Sequence, residues 1–414
     1  MGIKILRDYQ VDCASKGCEI LKNTGITYYS IQVRCGKTLI SLETCKLFGA
    51  KKVLFLTKKK AVNSIIGDYN DFNYSNSFEL IVTNNESLHK MMDDDFDVVI
   101  QDEAHRLGGF PKPSKIAVDL KSRFKSKPLI FLSGTMSPES FSQLFHQFWV
   151  SVNSPWKEYK NFYAWTKDYV SVKQKRIGSH LCNDYSHGLE DKIMRDTVKH
   201  IVTFTQEQSG FKSKITEEII YVKMKPQTYR IADTLLVDRV FEGKTDIILA
   251  DTAAKLMQKL HQVYSGTCKL ESGSSVVLDT SKAEYIRDNF KGKKLAILYV
   301  FKEELNLLSQ VLGPENLTND LDEFNSTDKH FVGQIVSSRE GISLRNADIL
   351  IMFNIQHSNV SYIQGVDRMT TLDRPENNVV WLFSENGIEE KIYKVVKKKD
   401  KYSSNIFKKD YNIK

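Results

Sequence analysis

The chain has 414 residues, 41% of them hydrophobic and 27% charged, with 8 prolines and a net charge of +8. That composition suits a globular protein with two or three cores and excludes a disordered or fibrous chain. No run of 18 or more apolar residues occurs, and the opening "MGIKILRDYQ" has no apolar leader. No membrane span and no secretion are therefore expected, and the expected location is the cytoplasm.

The N-terminal half alternates short apolar runs with helical patterns. Residues 27–33 read as a strand, 38–48 as a helix, 52–56 as a strand and 61–72 as a helix. Strands follow at 78–82, 96–100 and 128–133, then a helix at 138–148. Continuous apolar strands between helices predict a parallel sheet covered on both faces. The alternation fades after about residue 146 and resumes with strands at 218–224, 294–300, 330–336, 347–353 and 377–383. The predicted class is α/β: two parallel-sheet domains in tandem, at 1–145 and 216–414, with an intervening segment at 146–215. The six cysteines (13, 18, 35, 45, 182 and 268) include no CxxC pair and read as reduced thiols. His180, Cys182 and His187 have zinc-ligand chemistry but lack a second ligand pair.

"IQVRCGKTLIS" (31–41) lies between a predicted strand and a predicted helix. Gly36-Lys37-Thr38 closes a phosphate-binding loop: N–H groups at the helix start face phosphate oxygens, and Lys37 reaches the β and γ groups. Ile31 stands where the full motif has its first glycine, and Arg34 and Cys35 occupy the turn. Arg34 has three candidate neighbours: the phosphates, the opposite domain or solvent. Cys35 reads as a small turn residue. A GKT triplet alone is weak. "VVIQDEAH" (98–105) strengthens it, because a hydrophobic strand ends there in two carboxylates. Asp102 would hold Mg²⁺ together with the Thr38 hydroxyl, and Glu103 would polarise the attacking water.

With these pieces the sequence resembles superfamily 2 helicases and translocases. "DEAH" and "LSGTM" (132–136) resemble motifs II and III, and "LRDYQ" (6–10) resembles the Q motif. "EGISLRNADILIMFN" (340–354) resembles motif V, with Gly341 in its core, and "YIQGVDRMTTLDR" (362–374) resembles motif VI. "GIEEKIYKVV" (387–396) is similar to the helix after motif VI in Snf2-type enzymes, and the compact size looks most like bacteriophage-type members. Six motifs in order cover both predicted domains, which the resemblance implies are two RecA-like parallel-sheet domains in tandem with an aromatic and basic accessory segment between them. The resemblance implies an ATP-dependent DNA helicase or translocase using ATP and Mg²⁺, with forked or branched replication and recombination intermediates as substrates. Arg7 and Gln10 would then read the adenine. Snf2-type enzymes often lack the first loop glycine. Motif VI departs from the family: Gln364 and Arg368 match, but Thr371 replaces the second arginine, and the next is Arg374. Arg368 is the expected arginine finger, with Arg374 as helper or as partner of Asp373; the reverse assignment stays open.

The candidate DNA contacts are Thr57, Lys58, Thr83 and Asn84 in the first domain and Ser337 and Ser338 in the second; each also reads as an ordinary polar loop residue. Residues 154–176 interleave Trp156, Tyr159, Phe162, Tyr163, Trp165 and Tyr169 with six Lys and Arg. Trp156 and Trp165 would stack on unpaired bases or form the core of an accessory lobe. Duplex, forked or branched DNA is the expected partner of an expected monomer. RNA as substrate, or a nucleic-acid-binding scaffold with an impaired motor, are the alternatives.

Overall fold

The computed structural model describes residues 5–92, 95–177, 180–210, 214–243, 246–335, 344–357, 376–398, 402–411 and 413. Contacts divide the chain into two compact units, Met1–Phe211 and Lys212–Lys414.

In the first unit α1 (Asp8–Thr24) leads into β1 (Ile26–Ile31), α2 (Lys37–Phe48), β2 (Lys52–Thr57), α3 (Val62–Asp71) and β3 (Glu79–Asn84). Then come β4 (Val98–Gln101), α4 (Lys115–Phe124), β5 (Leu129–Ser133), α5 (Leu144–Trp149) and α6 (Phe162–Tyr169). A ribbon of β6 (Lys173–Ile177) and β7 (His180–Asp184), α7 (Glu190–Thr197) and β8 (Ile201–Phe204) complete it. Six strands form one sheet in the order β3-β2-β4-β5-β1-β8, and every pairing in it is parallel. Side chains alternate between two cores. Tyr28, Leu54, Leu56, Val99, Leu129 and Phe131 enter one, while Tyr29, Val53, Phe55, Val98, Ile100 and Ile130 enter the other. A period of two with both faces apolar is what a sheet covered on both sides requires. The helix expected at 138–148 starts as a 3₁₀ turn, Phe141–Gln143, and becomes α-helical only from Leu144.

The segment after residue 145 is built into this unit. Its β8 pairs with β1, Tyr28 opposite Ile201 through Ile31 opposite Phe204. Its tryptophans join the core that holds Phe145 and Phe148.

The second unit repeats the plan. β9 (Lys214–Val222), β10 (Leu295–Tyr299), β11 (Leu317–Thr318), β12 (His330–Gln334), β13 (Ile349–Met352) and β14 (Glu376–Ser384) form a sheet ordered β11-β12-β10-β13-β14-β9. It too is parallel throughout, with an apolar core on each face. Two parallel six-stranded sheets flanked by helices make the fold tandem RecA-like α/β, as the sequence predicts. No described helix is long and apolar enough to cross a membrane.

Candidate nucleotide site

The loop 32–36 leaves the C-terminal end of β1 and turns into α2 through two left-handed residues, Arg34 (φ 64°) and Gly36 (φ 76°). A left-handed residue beside the helix start points successive N–H groups into one concavity, which suits an anion. Arg34 adopts this conformation at a cost that glycine would not bear. Gly36 is required sterically as well: a Cβ there would lie 2.0 Å from Gln10 Nε2. Gln10 is buried, and its Oε1 accepts from the Arg7 N–H at 2.9 Å. The "LRDYQ" residues thus sit directly on the loop. Cys35 is fully buried, its thiol 3.7 Å from Val33 O and 3.5 Å from Ser209 Oγ, so it is a packed turn residue. Lys37 Nζ donates to the carbonyls of Ile31 (3.0 Å) and Gln32 (3.3 Å), which holds the ammonium over the loop.

Asp102 and Glu103 leave the C-terminal end of β4, the same edge of the sheet, with β5 between β4 and β1. Thr57 Oγ1 donates to Asp102 Oδ2 at 2.8 Å, and the Glu103 N–H donates to Oδ1 at 2.9 Å. Burial and then the Glu103 charge push Asp102 up to about 6, against the Thr57 bond and the Lys37 charge. For Glu103 burial acts upward too, but the His105 bond and charge, then Lys37 and Lys58, outweigh it and hold the carboxyl below its usual value. Glu103 takes a left-handed backbone, φ 50°. Its Oε2 lies 3.1 Å from His105 Nδ1, which is also 3.1 Å from Ser133 Oγ. Ser133 in turn donates to Thr135 O at 2.8 Å. The "DEAH" and "SGT" motifs are therefore joined through one imidazole.

Oδ2 of Asp102 accepts from Thr57 and Oδ1 from the Glu103 N–H, and a carboxylate oxygen with one such bond keeps a lone pair for a cation. The donor set of Asp102 carboxylate and Thr38 hydroxyl is oxygen-only, and a hard divalent ion such as Mg²⁺ fits it.

Several expectations are corrected. Thr57 is 1% exposed and its hydroxyl is committed to Asp102, so it supports the acid pair and offers no group to a DNA phosphate. Trp156 (2% exposed) and Trp165 (0%) have no free face for a base. Trp165 stacks on Tyr169 at 5.1 Å, and Trp156 meets Trp165 edge-on at 5.3 Å. They are core. Asn84 caps the 3₁₀ turn after β3 by accepting from Ser87 N at 2.9 Å. Thr83 is partly exposed at the end of β3, and Lys58, just past β2, faces the acid pair closely enough to lower Glu103. Ser337, Ser338, Gly341, Arg368 and Arg374 lie outside the described residues.

Sequence reasoning missed residues 204–209, which cover the loop. Gln206 N–H donates to Gln32 Oε1 at 2.7 Å and Gln206 Nε2 to Val33 O at 3.1 Å. Phe204 stacks on Tyr9 at 4.6 Å. It also gave no role to His105 or Ser133, although both stood inside motifs already singled out.

No protein-family model matches the chain, and no curated protein matches it. Among solved structures it is similar to the SWI2/SNF2 ATPase core of Sulfolobus solfataricus in complex with dsDNA, at 15% identity and a TM-score of 0.44, over 98% of this chain and 93% of that one. The same core domain in a second structure matches at 15% identity and a TM-score of 0.44, over 96% and 89%.

Proposed function

We propose that the chain is an ATP-hydrolysing motor of the Snf2-like superfamily 2 class that moves on DNA. One observation carries the reading: Lys37 on the glycine loop and the Asp102–Glu103 pair share one sheet edge, close enough for the lysine charge to act on both carboxylates. The motif order of the second unit, from Gly341 to Arg368 and Arg374, supports it.

In this reading the N–H groups at the start of α2 and the Lys37 ammonium bind the β and γ phosphates. Glu103, kept ionised by His105, orients a water and accepts its proton as that water attacks the γ phosphorus, giving ADP and phosphate. Mg²⁺ held by Asp102 and Thr38 would neutralise phosphate charge. Arg7 and Gln10 contact the adenine, and Arg368, with Arg374 as helper or as partner of Asp373, supplies the guanidinium that stabilises the γ-phosphate charge. Lys58, Thr83 and the Ser337–Ser338 pair contact the DNA backbone. The finer reading is remodelling of forked or branched DNA.

ATP hydrolysis measured alone and with single-stranded DNA, duplex, forked DNA and RNA tests this. Stimulation by DNA, greatest with forks, is expected. Stimulation by RNA alone would move the substrate to RNA, and binding without any hydrolysis would leave a scaffold.

A further inference from the structure

The ribbon of β6 and β7 belongs to neither large sheet. It pairs antiparallel over five positions, Lys173 opposite Asp184 through Ile177 opposite His180, a blade about 16 Å long at the usual strand rise. Leu181 (67% exposed), Cys182 and Asn183 are all exposed in succession, as are Lys173 and Gln174. Since neighbours on a strand point to opposite faces, these exposed residues stand on both faces of the ribbon. A free two-stranded hairpin is marginal in water, and this one is held at its base. Ser171 N donates to His187 O at 2.9 Å and Leu189 N to Tyr169 O at 2.8 Å. Ser140 and Ser142 hydroxyls donate to the Ser186 and Tyr185 carbonyls at 2.7 and 2.6 Å.

The charge on the blade is one-sided. β6 reads Lys-Gln-Lys-Arg-Ile, three cations in five residues, and Asp184 is the one acid in either strand. That carboxylate is turned to the base, where it accepts from Ser186 N at 3.0 Å.

Resting on the motor reading above, we propose that this ribbon is a duplex-DNA contact that lies in a groove and is drawn there by the three cationic positions of β6, Lys173, Lys175 and Arg176. The major groove, about 12 Å wide, admits a two-stranded ribbon, and the cations complement a polyanion. The DNA-contacting element is thus the blade that projects from the tryptophan core, and the tryptophans are its footing. Its anchor, Ser140 and Ser142, follows the "SGT" turn that touches His105, so the blade and the hydrolytic edge belong to the same compact unit.

Cys182 allows a direct test, because the other five cysteines are buried. A photo-crosslinker attached to Cys182 of the full chain should yield adducts with duplex DNA. The triple variant Lys173→Glu, Lys175→Glu, Arg176→Glu should bind duplex at least about tenfold more weakly near 0.15 M salt, with a salt dependence shallower by about two to three counterions. Lys173→Arg, Lys175→Arg, Arg176→Lys should bind as wild type. Intrinsic tryptophan fluorescence of the buried core reports that each variant is folded. Wild-type affinity and salt slope in the triple Glu variant, or no adduct from Cys182 while duplex is bound, overturns the ribbon assignment and leaves the motor reading intact. Failure of the wild-type chain to bind any DNA overturns both.

Discussion

Glu103 is the residue on which the chemistry turns, and its surroundings keep it charged: His105 and two lysines outweigh its burial. Glu103→Gln keeps the shape but cannot accept a proton. ATP binding should therefore persist while steady-state hydrolysis falls on the order of a hundredfold or more. Lys37→Ala should weaken ATP binding itself, because it removes the cation over the loop. Binding of a fluorescent nucleotide beside single-turnover hydrolysis separates the two, and near-normal hydrolysis by Glu103→Gln would sink the assignment. Arg368→Ala should cut DNA-stimulated hydrolysis by about 10³-fold with ATP binding largely kept, and Arg374→Ala should cost less. A larger loss from Arg374→Ala would move the finger along the chain. The acid pair and the glycine loop were legible in the sequence because each is contiguous. Thr57 was not, because its partner lies 45 residues away. Leu56 pairs with Gln101 across β2 and β4, so the next residues, Thr57 and Asp102, end side by side. Only the strand register reveals that.

At the scale of elements, the buried strands were legible because both faces are apolar. β8 was not: Val202 is its one buried residue, and an edge strand of four residues leaves a faint pattern. Its return to β1 carries residues 146–211 into the first unit. The aromatic run read equally well as a stacking platform or a core, since composition cannot say which way a ring faces. Packing decides for the core. Trp165→Ala should destabilise the first unit by about 3–5 kcal/mol, the usual cost of emptying a large aromatic site. Urea unfolding followed by circular dichroism measures this, with DNA affinity taken on the folded fraction. Unchanged stability with lost DNA binding would restore the stacking role.

Across the whole molecule, buried neutral histidines tie stability to pH. Burial pushes His146 and His200 in the first unit, and His261 in the second, down to about 4. In the unfolded chain they titrate near 6.5. Above 6.5 both states bind no proton there, and these groups add no pH dependence. As pH falls from 6.5 to 4, the unfolded chain takes up protons that the folded one refuses, so stability is lost. Each histidine can cost about 3 kcal/mol over that window, at up to about 1.4 kcal/mol per pH unit. Asp102 works in the opposite sense: raised to about 6, it binds its proton before the unfolded chain does. One opposing carboxyl against two histidines leaves the first unit acid-sensitive. The His146 ring is fixed by the carbonyl of Gly109 through Nδ1, a contact that an asparagine amide can replace. Urea unfolding at pH 7, 6 and 5 should show His146→Asn losing stability less steeply than wild type, by about one proton's slope. Parallel slopes for the two proteins would show that His146 takes up its proton at the same pH folded and unfolded, against the shift that burial gives it.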